Sequence, residues 1–200
     1  MTFSLLIKTE IWYNGCMMDG NGFWKVCEAL DCELRIELLR YLSAVEKTEF
    51  PCVNELAEKF QVSAAAMSIH LKKLAMVGLV VSKRVDRRVY YRAFAATAEG
   101  ERVLASLQRT FESHPNETRF RELRECAHAL SHPRRHLIVR CLHAEPGLSL
   151  AELALRTEMP PQTADRLCGE LRKAHIVDLN GVVTVPECEP EATLMELTLS

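Results

Sequence analysis

Seven basic residues, Lys72, Lys73, Lys83, Arg84, Arg87, Arg88 and Arg92, fall between Ser63 and Arg92 against one acid, Asp86. The chain as a whole has a net charge of −2, so this cationic character is local. Ammonium and guanidinium groups gathered on one stretch neutralise phosphates and displace their counterions, which is the chemistry of a surface that grips a polyanion. Nothing else in the chain offers comparable chemistry. It has no glycine-rich phosphate loop, no defensible pair of catalytic carboxylates and no nucleophile with a recognisable base, so no enzymatic activity is expected.

Thiols and imidazoles come next. Eight cysteines without a secretory signal point to a reducing cytoplasm rather than a disulfide framework. No Cys-x-x-Cys pair occurs, so a structural zinc site has no signature. Cys27, Cys32 and Cys52 are the candidates for a metal or thiol effector, although such cysteines more often serve as small buried hydrophobes. His128, His132 and His136 have the spacing of a helical metal ladder. Pro133 starts a helix between them, so the three should not share a face, and Ser131 or His132 should cap that helix instead. No cofactor is expected.

The basic stretch needs elements to position it. Ser63 is a good N-cap, and Met67, Leu71 and Leu74 recur at i, i+4 and i+7, which predicts a helix burying those three residues. Ala64, Ala65, Ser68, Ile69, Lys72 and Lys73 then point outward. Gly78 supplies a left-handed stop, after which Leu79, Val80 and Val81 favour a strand. Upstream, Val53, Leu56, Ala57 and Phe60 form another apolar face, and Gln61-Val62 is only as long as a tight turn. Two short helices joined in this way make a helix-turn-helix, followed by a basic hairpin.

This stretch resembles the ArsR-type winged-helix repressors, whose recognition segment typically runs Ser-Gln-x-x-Val-Ser-x-His-Leu, then Leu, then Gly-Leu-Val. Ser63, Met67, Ser68, His70, Leu71, Leu74, Gly78, Leu79 and Val80 fall on that pattern, and Tyr90-Tyr91 fits the strand after the wing. The resemblance implies that the helix enters a major groove of double-stranded DNA while Lys83, Arg84, Arg87 and Arg88 clamp flanking phosphates. Departures temper the base-reading. Ala64 and Ala65 stand where the family carries polar residues, and Ile69 where Arg or His is common. Alanine makes no bidentate bonds to bases, although small apolar groups touch thymine methyls. Modest discrimination is expected, with Ser68, His70, Lys72 and the wing cations mainly positioning the protein. His70 also fits a half-buried place against the core. Arsenic- and cadmium-sensing relatives carry Cys-Val-Cys where this chain has Cys52-Val53-Asn54, so a soft-metal site has lost a thiolate.

Internal repetition is the second strong feature. Ala29-Leu30, Arg35, Leu38-Leu39, Arg40 and Leu42 recur as Ala129-Leu130, Arg135, Ile138-Val139, Arg140 and Leu142, and Glu55-Leu56-Ala57 recurs as Glu152-Leu153-Ala154. The second copy has a different surface. Its presumed recognition helix begins Pro160-Pro161-Gln162-Thr163 and carries Asp165 and Glu170 among Arg166, Arg172 and Lys173. Its wing shrinks to residues 176–185 around an Asn180-Gly181 turn suited to a two-residue hairpin. From Pro186 onward there are four glutamates and no base, which a polyanion repels. This copy reads as a dimerising or sensing half that has lost DNA contact.

Between the copies, Val103, Leu104, Leu107 and Phe111 stripe one helix from about Ala98 to Ser113. Phe120, Leu123, Ala127 and Leu130 stripe another after the break at His114-Pro115-Asn116. In the family, flanking helices build the homodimer, so a homodimer or an intramolecular pseudo-dimer is expected, and a two-fold DNA site would need two chains.

The fold class that follows is mainly α with small β-hairpin wings, as two tandem winged helix-turn-helix domains joined by helices. The expected boundaries are a leader of unassigned role over 1–22, with Met17 or Met18 as an alternative start, a DNA-binding domain over 23–95, a linker or dimerisation helix over 96–117, a degenerate winged helix over 118–186 and an acidic tail over 187–200. No apolar run approaches the roughly 20 residues that span a membrane, and 48% hydrophobic with 26% charged residues is ordinary for a globular chain. The functional expectation is a cytoplasmic DNA-binding transcriptional regulator, most simply a repressor. The alternatives are a tandem winged-helix protein-interaction module without DNA binding, and a metal- or thiol-responsive repressor acting through Cys52.

Overall fold

A computed structural model describes residues 22–45, 50–113, 117–178, 180–184 and 190–199. The leader, the break at 114–116 and parts of the second wing and the tail, including Leu179 and Val185, lie outside the described residues.

Helix α1 (Phe23–Leu30) buries Val26, Cys27 and Leu30, and the chain then bends at Asp31-Cys32 into α2 (Glu33–Ala44). Arg35 holds that bend. Its guanidinium donates to the carbonyls of Glu28, at 2.9 Å, and of Ala29, so the open end of α1 is satisfied by a side chain from the next helix. Helix α3 (Val53–Lys59) starts from a capping box in which Cys52 takes the usual place of Ser or Thr and the Glu55 carboxylate accepts from the Cys52 amide at 2.8 Å. Gln61 turns the chain at φ 54, and α4 (Ala64–Met76) follows.

Gly78, at φ 70, ends α4 and admits strand β1 (Val80–Val85), which pairs antiparallel with β2 (Arg88–Ala93). Cys52 bridges to Tyr90 and the Tyr91 amide donates to the Pro51 carbonyl at 3.0 Å, so the lead-in to α3 lies along the hairpin. Helix α5 (Ala98–Ser113) begins close against the α4–β1 turn. A Cβ on Gly100 would come within 3.2 Å of the Thr97 hydroxyl and 3.3 Å of the Gly78 carbonyl oxygen, so a side chain there would push its neighbours back by a few tenths of an ångström.

The second half repeats this order as α6 (Glu117–Leu130), α7 (Pro133–Ala144), α8 (Leu150–Arg156) and α9 (Pro161–Lys173), with α10 (Glu191–Leu199) where the first half has α5. Arg135 donates to the His128 carbonyl at 2.7 Å, as Arg35 does to that of Glu28. The Met159 amide bonds the Ala154 carbonyl at 3.0 Å, as Val62 does Ala57. Glu158 at φ 52 and His175 at φ 57 occupy the left-handed positions of Gln61 and Gly78. Ser149 and Glu152 form the capping box that Cys52 and Glu55 form in the first half.

Two expectations are refined. The second wing, among the described residues, is a minimal hairpin: Val177 and Val183 form one antiparallel bridge, flanked by bonds from the Asp178 amide to the Val182 carbonyl at 2.9 Å and from the Thr184 amide to the Ile176 carbonyl at 2.8 Å. The Asp178 carboxylate accepts from the amides of Asn180 and Val182, each at 2.8 Å, and closes the turn locally. The acidic tail is, over Glu191–Leu199, a packed helix, because Thr193, Leu194, Met195, Leu197 and Thr198 are buried and charge was a poor guide to a segment with that apolar content. The joining helices pack into the core, since one continuous apolar cluster runs from Phe23 through α5, α6 and α9 to Leu197.

Candidate nucleic-acid interface

Helix α4 displays what its periodicity demands. Met67, Leu71 and Leu74 are fully buried, which leaves Ala64, Ala65, Ser68, Ile69, Lys72 and Lys73 exposed. The Ser63 hydroxyl accepts from the Ala66 amide at 3.1 Å, a cap worth about 1 kcal/mol. Ile69 is 60% exposed, an unusual allowance for a branched aliphatic side chain and one that places apolar surface in the middle of the outward face.

The hairpin stands beside the start of this helix. Its register pairs Lys83 with Tyr90, Arg84 with Val89 and Val85 with Arg88. Side chains alternate across a strand, so Lys83 and Arg88 share one face of the wing and Arg84 takes the other. The Asp86-Arg87 turn, with Asp86 at φ 54, places Arg87 at the tip. Between wing and helix lies a cleft of about 330 Å³ lined by Cys52, Asn54, Ala64, Ala65, Ser68, Arg87 and Arg88. Arg87 and Arg88 make no ion pair among the described residues, so their charge is available to a ligand in or across that cleft.

The remaining predicted residues divide. Lys72 is exposed, but the Lys73 ammonium lies 3.4 Å from the Glu28 carboxylate and is tied to α1. His70 is half-buried, with Nδ1 4.0 Å from the Cys32 thiol. Burial, helped by Arg35 and Lys73, holds its imidazole below the usual histidine range and favours the neutral form. Arg92, counted with the basic stretch in sequence, places its guanidinium 5.8 Å from the Phe50 ring centre and 4.9 Å from that of Phe94, and does not line the cleft. Sequence reasoning missed Asn54 and the tether of Lys73. In the sequence Asn54 stands out only as the residue where metal-sensing relatives carry a thiol.

The sensor candidates occupy three separate settings. Cys27 is buried in α1 beside Cys126 of α6, and burial pushes both thiols up, Cys126 to about 12. Cys32 is the half-buried N-cap of α2, and Cys52 is the buried cap of α3. Among the described residues no three His, Cys, Asp or Glu side chains converge on a point where a metal ion could sit. The histidine trio is also dispersed. His128 pairs with Asp31 at 2.7 Å, His132 caps α7 by accepting from the Arg134 amide at 3.1 Å, and His136 is buried.

Residues 32–82, from the N-cap of α2 to the start of β1, match the family model described as bacterial regulatory protein, arsR family. That segment is similar to the helix-turn-helix of that family, and the match stops short of the wing tip and of the second half. No curated protein and no solved structure matches the chain. Among the described residues no helix is long and apolar enough to cross a membrane.

Proposed function

We propose that this chain is a cytoplasmic DNA-binding transcriptional regulator that acts as a repressor by occupying its site. In this reading the first half, residues 23–95, reads duplex DNA and the second, 118–186, is a degenerate winged helix in a supporting role. The observation that carries it is the juxtaposition of the exposed α4 face with Arg87 and Arg88 across one cleft, inside and next to a segment that matches a family of DNA-binding regulators. Helix α4 would lie in the major groove, with Ser68 beside the bases and Lys72, Lys83, Arg84, Arg87 and Arg88 on the flanking phosphates. Ala64, Ala65 and Ile69 offer contact to thymine methyls rather than hydrogen bonds, so sequence discrimination would be modest. The matching helix order, left-handed positions and arginine clamps of the two halves support descent of the second from a copy of the first.

The degenerate surface of the second half supports its exclusion from DNA. Arg135 and Arg166 both spend their guanidinium on Glu170, and residues 180–184 carry no cation. A second reading, a protein-interaction module, is favoured by the exposure of Ile69 between two alanines. Gel-shift titration of the full chain against the DNA upstream of its own coding sequence separates them. Retardation at low salt that weakens steeply with added salt is expected, and a chain that leaves every duplex unshifted at 50 mM salt would overturn the DNA-binding reading.

A further inference from the structure

We propose that a single chain is the complete DNA-binding unit and that its target is one asymmetric half-site, not a palindrome, an inference that rests on the DNA-binding reading above. In a two-fold dimer the same patch meets itself from both subunits. Here α1 packs on α6, α5 packs on α10, and α1 also touches α10. Since α6 stands in the second half where α1 stands in the first, and α10 where α5 does, each of the first two contacts joins equivalent helices. The chain carries the layout of a dimer inside itself.

That internal interface uses up the surfaces a second chain would need. Val103, Leu104 and Leu107 of α5 are buried, and so are Leu194, Met195 and Leu197 of α10. Among the described residues the large exposed hydrophobics are Ile69, Met76, Val85, Phe94, Leu137, Leu150, Leu155 and Val182, and none of them lies on α1, α5, α6 or α10. Polar contacts cross between the halves as well, an ion pair from Arg102 to Glu196 at 2.6 Å and a hydrogen bond between His128 and Asp31 at 2.7 Å.

The dyad of the shape is not a dyad of function. Among the described residues only the first half presents wing arginines, Arg84, Arg87 and Arg88, and none of them is in an ion pair, so the second half-site of a palindrome would meet Asp165, the Glu170 cluster and a turn whose one charge is the Asp178 carboxylate. One reader of five cations, Lys72, Lys83, Arg84, Arg87 and Arg88, would give a log K against log salt slope of about −4.5, and two chains on a palindrome about −9.

The test takes the full chain through selection from a random duplex library, then sedimentation of the free protein and of its complex with the selected duplex. The expected results are a 22.7 kDa monomer, one chain per duplex, an enriched motif without two-fold symmetry confined to about one helical turn, and a slope near −4.5. Two chains on a palindrome, or a free protein that sediments as a dimer, would overturn this proposal and leave the DNA-binding reading intact. A monomer for which no duplex is enriched or retained at 50 mM salt would overturn the DNA-binding reading and this proposal with it.

Discussion

The Lys73 ammonium sits 3.4 Å from the Glu28 carboxylate and ties the last turn of α4 to α1, while its neighbour Lys72 stays exposed. Two adjacent lysines of one helix therefore have different jobs. Lys72→Ala should lower affinity for any duplex and reduce the salt slope by about 0.9, the value of one phosphate contact. Lys73→Ala should leave the slope unchanged and cost at most about 1 kcal/mol of stability, as an exposed ion pair does. Anisotropy titrations across a salt series check both, and a slope change in Lys73→Ala would place that lysine on DNA after all.

The wing pair is next. Arg87→Ala with Arg88→Ala removes the two guanidinium groups that line the cleft. Affinity should fall for specific and nonspecific duplexes alike, with the slope flattened by up to about two units. If the slope is unaltered, the wing is not in contact with phosphate.

The second half supplies the converse. Arg166→Ala should leave duplex affinity within twofold, because that guanidinium is held by Glu170 on its own helix. A tenfold loss would show that α9 reads DNA too.

Acid should weaken the fold through His136. Its ring is 6% exposed on α7, and burial together with Arg140 holds its pKa down to about 4. The unfolded chain takes up a proton near pH 6.5 and the folded chain resists until about pH 4, so stability is full above pH 6.5 and falls as pH drops through that window. The loss should reach roughly 3 kcal/mol once the pH is below 4. His70, shifted the same way by burial, adds to it with the same sign. His136→Leu, which places an aliphatic side chain where the first half has Ile36, should flatten the fall in melting temperature between pH 7 and pH 5. An unchanged pH profile would remove His136 as the cause.

Much of the site was legible because it is local. Ser63 to Gly78 carries its cap, its buried stripe and its left-handed stop in one short run, and each follows from residue type and spacing. The offsets between Arg35 and Arg135, and between Glu55 and Glu152, also anticipated the repeated helix order. What escaped depends on residues far apart in sequence. Nothing near Lys73 announces Glu28, and nothing in Arg92 announces that Phe50 and Phe94 will lie beside it. Cysteine is not a usual cap, so the box at Cys52 was invisible although its Glu55 partner was noted in the repeat. The glutamates after Pro186 were read for their charge, and the alternating Thr, Leu and Met that bury α10 were overlooked.

The division of labour between the two halves is tested most directly by hydrogen–deuterium exchange of the full chain with and without a bound duplex. Protection by DNA should appear over residues 63–72 and 83–90 and be absent over 161–184. Protection over 161–184, or over neither segment in a demonstrable complex, would contradict a first half that reads DNA alone.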